Sequence, residues 1–201
     1  MRVIKEKDDP AFFRFVTDGN LLRQYDFLQT HVEIALREPD YVISHDVVRQ
    51  LNNYAVVHIS NTPGKYRERP VFIENTQHIP PEHGKVQGFM EECLHYIAKN
   101  WKTHSALHLA AYALWRLNWI HPFMEGNGRT ARATCYLILC VKHSLWLPGT
   151  NTVLKQIRDD RTPYYAALRE ADRAYDPRDA RIDVSRLETY LEALLTKQLG
   201  G

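Results

Sequence analysis

The residues best suited to chemistry in this chain crowd into one stretch, His121-Pro122-Phe123-Met124-Glu125-Gly126-Asn127-Gly128-Arg129-Thr130-Ala131-Arg132. His121 is the one group in it whose unperturbed pKa lies near neutrality, so it is the candidate general base. Glu125 is a hard oxygen ligand of the kind Mg²⁺ accepts together with phosphate oxygens. Gly126 and Gly128, which lack a Cβ, let the main chain come close to a ligand. A Gly-rich turn running into a helix start aims several free N–H groups one way. The positive end of the helix dipole adds to them, so an anion fits there. Arg129 and Arg132 are three apart and share a helix face. Arginine stays charged and grips phosphate oxygens in pairs. Taken singly, such features are usually a turn, a cap and a solvated face. Together in one short run, they point to a polyphosphate held with a metal and a proton removed beside it.

Two apolar helices must carry this turn. Residues 105–119 are apolar nearly all round, as a central buried helix is, and 131–143 are equally so, with Pro122 breaking the chain between them. Further helices are expected over about 20–37, capped at Asp18-Gly19-Asn20 with Leu21, Leu22, Tyr25, Leu28, Val32 and Leu36 recurring at helical spacing, and over 44–60, capped by Ser44. Others follow over 84–101, 151–158, 162–173 and 184–199. Thr103 is the expected cap of the central helix, and the aromatic group Phe12, Phe13 and Phe15 is expected to dock on the core. His104 and His108 stand i, i+4 like a zinc pair, but no third ligand or adjacent glutamate follows, so packing is the reading. Lys65 to Ile79 changes character: Val71, Phe72 and Ile73 favour strand among turn-forming residues, which predicts a short hairpin.

The run from His121 to Arg132 resembles the signature of the Fic family of AMP-transferases, with every fixed position matched. The resemblance extends from about Ser44 to Leu195. It implies an all-α fold with a short β-hairpin flap, organised as an N-terminal helical segment (1–43) packed on a Fic domain (44–201). The implied activity is transfer of AMP from ATP to a Ser, Thr or Tyr hydroxyl of a target protein, with release of pyrophosphate. His121 would take the hydroxyl proton and Glu125 would hold Mg²⁺ between the α- and β-phosphates. Gly126, Asn127 and Gly128 would cradle phosphate oxygens, with the Asn127 side chain near the α-phosphate. Arg129 and Arg132 would take the β and γ charges. Phe123 belongs to the same nucleotide-side signature, although its own chemistry reads as core packing. Tyr165 and Leu168 resemble adenine-side positions. Lys65, Tyr66, Arg67, Val71, Phe72 and Ile73 resemble the flap that holds a target by strand addition. The same site supports transfer of another nucleotide, and a catalytically inactive nucleotide-binding module is the rival from outside enzymology.

Many family members carry an inhibitory helix with Ser or Thr, three residues, then Glu followed by Gly or Asn. Here only Glu74-Asn75 and Glu125-Gly126 have the right following residue, and neither has Ser or Thr four residues earlier. Restraint by a separate antitoxin-like inhibitor protein, or regulation in some other way, is the expectation that follows. Composition narrows the rest. The 201 residues are 44% hydrophobic and 25% charged, ordinary for one globular domain. The net charge of +2 gives no general reason to bind nucleic acid or membrane. The three cysteines, Cys93, Cys135 and Cys140, lack metal-type spacing and read as reduced and cytoplasmic. The charged N-terminus shows no signal peptide, and no apolar run approaches the roughly 20 residues that span a bilayer.

Overall fold

The computed structural model describes residues 3–73, 76, 78–176 and 181–200. Among these it forms α1 (Pro10–Arg37), α2 (His45–Val56), α3 (Val86–Lys99), α4 (Ala106–Ile120), α5 (Asn127–Lys142), α6 (Val153–Asp159), α7 (Thr162–Ala174) and α8 (Ser185–Leu199). The pair α4 and α5 forms the centre and makes the most extensive helix–helix contact. Leu109 to Leu114, Trp115, Leu117 and Ile120 of α4 are buried, as are Ala131, Ala133 and Cys135 to Cys140 of α5. A helix apolar on all sides must be surrounded: α8, α3 and α7 pack on α4, while α1, α2 and α6 pack on α5.

Several helix starts are set by short polar side chains satisfying the free N–H groups of the first turn. Ser44 accepts from the Val47 N–H (3.3 Å) and Thr152 from Lys155 (3.2 Å). The central helix is capped by Ser105, which accepts from His108 N–H at 3.0 Å, and not by the expected Thr103. The hydroxyl of Thr103 lies instead against the His104 ring and the Asn100 carbonyl.

The first helix departs most from expectation. It begins at Pro10, with Asp9 accepting from the Phe12 N–H at 3.0 Å, and runs straight through Gly19. Proline suits the first helical position, and a glycine costs an interior about 1 kcal/mol without ending it. Asn20 caps nothing: it is fully buried and donates to the Val57 carbonyl. Gln24, one turn on, is buried and donates to the Leu51 carbonyl. The inward stripe is therefore Asn20, Gln24, Leu28, Val32 and Ala35, while Leu22, Leu36, Phe12 and Phe15 are exposed. Phe12 and Phe15 stack on each other rather than docking on the core.

The expected hairpin over Lys65–Ile79 is the second correction. Among the described residues there is no strand, and the span pairs only through an isolated antiparallel bridge between Tyr66 and Phe123. The Arg67 N–H is spent on the Pro122 carbonyl at 2.8 Å, so the backbone here bonds to the turn after α4 and not to itself. Pro70 removes a donor next to Val71, and Phe72 is 91% exposed, so no apolar face is buried to fix a register. Glu74, Asn75 and Gln77 lie outside the described residues.

Candidate active site

The turn between α4 and α5 begins at His121, which caps α4 in the left-handed conformation (φ 50°) with its N–H on the Leu117 carbonyl. Its Nδ1 stands 3.3 Å from the Asn118 carbonyl. A carbonyl only accepts, so the proton sits on Nδ1 and the Nε2 lone pair is free. Burial lowers the pKa of His121 to about 4, and the charges of Arg67 and His78 add to the drop, while the Asn118 contact opposes it. The ring is therefore neutral at neutral pH and able to receive a proton.

The turn is closed from inside. The Asn127 side chain takes the Phe123 N–H on its oxygen and donates to the Phe123 carbonyl through its nitrogen, both at 2.8 Å. Both ends of that amide are engaged with the Phe123 backbone, and the Asn127 backbone N–H stands open at the helix start. Phe123 is buried and packs against Tyr66. Gly126 precedes α5 with φ +79°, and a Cβ there would come within 2.4 Å of Val56 Cγ1 and 3.2 Å of Asn52 Nδ2. Glycine is required twice over, by conformation and by space. No side chain among the described residues caps α5. The first backbone bond of the helix is Thr130 N–H to Gly126 carbonyl at 2.9 Å, so the N–H groups of Asn127, Gly128 and Arg129 point outward without a helical acceptor.

Arg129 donates to the Ala55 carbonyl, and Arg132 lies beside Gly128 and the Tyr164 hydroxyl. Neither arginine forms an ion pair among the described residues. Burial lowers the pKa of both, and the charge of Arg161 acts on both, with Glu125 partly offsetting it at Arg129. The Glu125 side chain is exposed and accepts no hydrogen bond among the described residues; its carbonyl accepts from Asn52 Nδ2 at 2.8 Å.

A cavity of about 200 Å³ brings His121 together with Tyr165, Leu168 and Ile73, and with Asn118, Trp119 and His78. His78 is held there by Nε2 on the Trp119 carbonyl at 2.8 Å. Glu125 instead borders a separate cavity of about 390 Å³ with Ser60, Asn61, Thr62 and Arg69. Of the expected flap residues, Ile73 reaches the site, Phe72 projects into solvent and Val71 is half-buried. Lys65 is exposed, Tyr66 packs on Phe123 and hydrogen-bonds His45, and Arg67 is buried.

Asn52 is a residue that periodicity could not find. It sits among the apolar positions of α2 and is fully buried. Besides Glu125 it donates to Thr130 Oγ1 (3.2 Å), and its oxygen accepts from the Gly64 N–H (3.0 Å). A buried amide with every group matched is worth its place only if it organises backbone; the available signal was one asparagine inside an apolar stripe.

Residues 42–139 match the model of the Fic/DOC family. The similarity to the Fic/DOC family model thus covers just under half of the chain. It is 28% identical over 129 residues to "Protein adenylyltransferase Fic" of Drosophila mojavensis, a match covering 59% of this chain and 25% of that protein. To the protein of the same name from Nematostella vectensis it is 29% identical over 142 residues, covering 68% and 31%. The chain thus spans about a quarter to a third of the length of these relatives. Its fold resembles a Fic domain containing signaling protein from Bacteroides thetaiotaomicron (TM-score 0.73, 18% identity, 90% of this chain and 68% of that one). It also resembles Fic-1 from C. elegans, residues 134–508 (TM-score 0.65, 22% identity, 92% and 50%). The family match spans α4, the turn from His121 to Arg132, and α5 as far as Leu139.

Proposed function

We propose that this chain transfers AMP from ATP to a Ser, Thr or Tyr hydroxyl of a target protein, releasing pyrophosphate. The observation that carries the reading is a neutral histidine standing at one end of a turn whose other end is an uncapped helix start. Two arginines without ion-pair partners among the described residues flank that start. Like charges gathered in a half-buried site cost free energy that a polyanion relieves. The adenylyltransferase names of the relatives support the same reaction.

His121 Nε2 takes the proton from the attacking hydroxyl as that oxygen bonds to the α-phosphorus and the bond to the pyrophosphate oxygen breaks. The N–H groups of Asn127, Gly128 and Arg129 receive phosphate oxygens, and Arg129 and Arg132 take the charge that grows on the leaving group. Little covalent work falls to the protein, so positioning and charge stabilisation carry the rate. Mg²⁺ fits Glu125. No cluster of three His, Cys, Asp or Glu side chains able to hold a metal exists among the described residues. One unengaged carboxylate beside a phosphate nest suits an ion that draws its other ligands from phosphate and water. When bound, Mg²⁺ would neutralise charge between the phosphates. Tyr165 and Leu168 are assigned to the adenine side, with Phe123 setting the turn beneath.

Val71, Phe72 and Ile73 make no backbone hydrogen bond among the described residues, so they can accept a target main chain by strand addition. Residues 44–201 make up the catalytic unit and 1–43 a helical segment laid along it. No glutamate pairs with Arg132 among the described residues, which supports restraint by a separate antitoxin-like protein. Cys93, Cys135 and Cys140 are free and buried, in keeping with a cytoplasmic setting. No helix among the described residues is long and apolar enough to cross a membrane.

The test is label transfer. With Mg²⁺ and lysate, the purified chain is expected to deposit label on protein from ATP labelled at the α position and none from the γ position. Label from γ would move the assignment to a kinase. ATP binding with no label from either position would favour a nucleotide-binding module.

A further inference from the structure

We propose that Arg67 is a positioning residue for this reaction, clamping His121 and the 68–80 span to one another through a single guanidinium. The inference rests on the AMP-transfer reading for its turnover readout alone.

Arg67 is 3% exposed and forms no ion pair among the described residues. Its donors go to backbone carbonyls. Nε donates to His121 at 2.8 Å, one terminal nitrogen to Arg69 at 3.3 Å, and the other to Pro81 and to Ile120 at 3.4 Å. Its own N–H donates to the Pro122 carbonyl at 2.8 Å. The last carbonyls of a helix have no intrahelical donor and carry the negative end of its dipole, so a buried cation is well placed there. Pro122 offers no N–H to extend the ladder. His121 meanwhile holds a left-handed conformation that costs a residue with a Cβ about 1–2 kcal/mol. Arg67 fastens the carbonyl side of that residue, while Leu117 fastens its N–H.

The other two bonds give the clamp its consequence. Arg69 and Pro81 stand at the two ends of the span that carries Ile73, Thr76 and His78 into the cavity with His121. One planar group therefore sets both where the base stands and where the span leaves and rejoins the body. A target main chain docked along Val71–Ile73 would be held at a distance from Nε2 fixed by the same guanidinium. Lysine, a single point of charge, cannot reach four carbonyls spread around a fork.

Arg67→Lys separates this role from simple support of the fold. Expected are cooperative unfolding, an ATP dissociation constant within about threefold of the parent, and turnover about 100-fold lower, the scale of a 1 Å misplacement. Proteolytic cleavage within 68–80 should speed up. In Arg67→Ala, loss of the nearby cation raises the His121 ring pKa, followed by NMR, and added guanidinium restores part of the turnover. Parental turnover and parental protection in Arg67→Lys would overturn the proposal. So would equal losses of ATP affinity and turnover, which would make Arg67 a general support. If Arg67→Lys does not fold, guanidinium rescue of Arg67→Ala decides, and no rescue counts against the clamp. A parent chain that transfers no AMP sinks the AMP-transfer reading, and the clamp is then judged on proteolysis and the His121 titration.

Discussion

The turn 121–127 and the span 68–80 meet at one cavity, the first through His121 and the second through Ile73, Thr76 and His78, and both mix proline with apolar and polar side chains, yet they are held in opposite ways. In the turn, every residue from His121 to Gly126 except Met124 has at least one backbone group with a partner among the described residues: Leu117 for His121, Arg67 for Pro122, Asn127 for Phe123, Asn52 for Glu125 and Thr130 for Gly126. In the span, Arg67 holds the ends and His78 rests on the Trp119 carbonyl, while Val71 to Ile73 bond to nothing among the described residues. Composition does not separate the two. What separates them is whether buried side chains on neighbouring helices reach the backbone. The fixed region suits a reacting group, and the unsatisfied one suits a partner's main chain.

The contrast can be broken most sharply at His121. Replacement by Ala should cut AMP transfer by about 10²–10⁴-fold, as loss of a general base does, while ATP affinity measured by calorimetry stays within about threefold. A parallel fall in affinity would mean that the turn had collapsed. Gly126→Ala tests the packing of the turn. With φ +79° and Val56 Cγ1 at 2.4 Å from the new Cβ, it should lose about 2–4 kcal/mol in denaturant unfolding. Asn52→Ala leaves a buried N–H and two acceptors unmatched, and should cost about 1–3 kcal/mol together with a weaker hold on ATP as the start of α5 shifts.

The pH dependence sharpens the comparison further. His121 acts as a base only when neutral, and burial sets its pKa near 4 against an ordinary 6.5. The acid limb of kcat/KM should therefore fall near pH 4 and not near 6.5. The same depression means that the unfolded chain binds more protons than the folded one between these values. Stability from this group is complete above 6.5 and is lost as pH falls towards 4; urea unfolding at pH 7 and pH 5 in parent and His121→Ala checks the sign. The smallest effect is expected at Phe72. Phe72→Ala should change stability by less than about 0.5 kcal/mol and leave ATP affinity alone, yet reduce labelling of the protein target. An unchanged target signal would remove the span from substrate recognition.

The central helices were legible because their apolar residues run all round, and only a surrounded helix has that composition. The signature turn was legible because its residue types are scarce in combination. The start of α1 was not, since Asn20 reads as a cap residue and Gln24 falls outside the apolar spacing, while their amides in fact bond carbonyls of α2 and the residue after it from within the core. The expected hairpin failed for a related reason: β-prone side chains were counted, but the partner of the Arg67 N–H lay far along the chain.

By itself, then, the sequence determined a helical domain and the chemical inventory from His121 to Arg132, because periodicity and side-chain type are local properties. Only the tertiary structure decided that Asn127 closes its own turn, that Asn52 and Arg67 reach the same turn from other elements, and that His121 is buried enough to stay neutral. Those outcomes depend on which backbone groups lie within about 3 Å of a distant side chain, and hydrogen-bond reach of that kind exists only once the helices have packed.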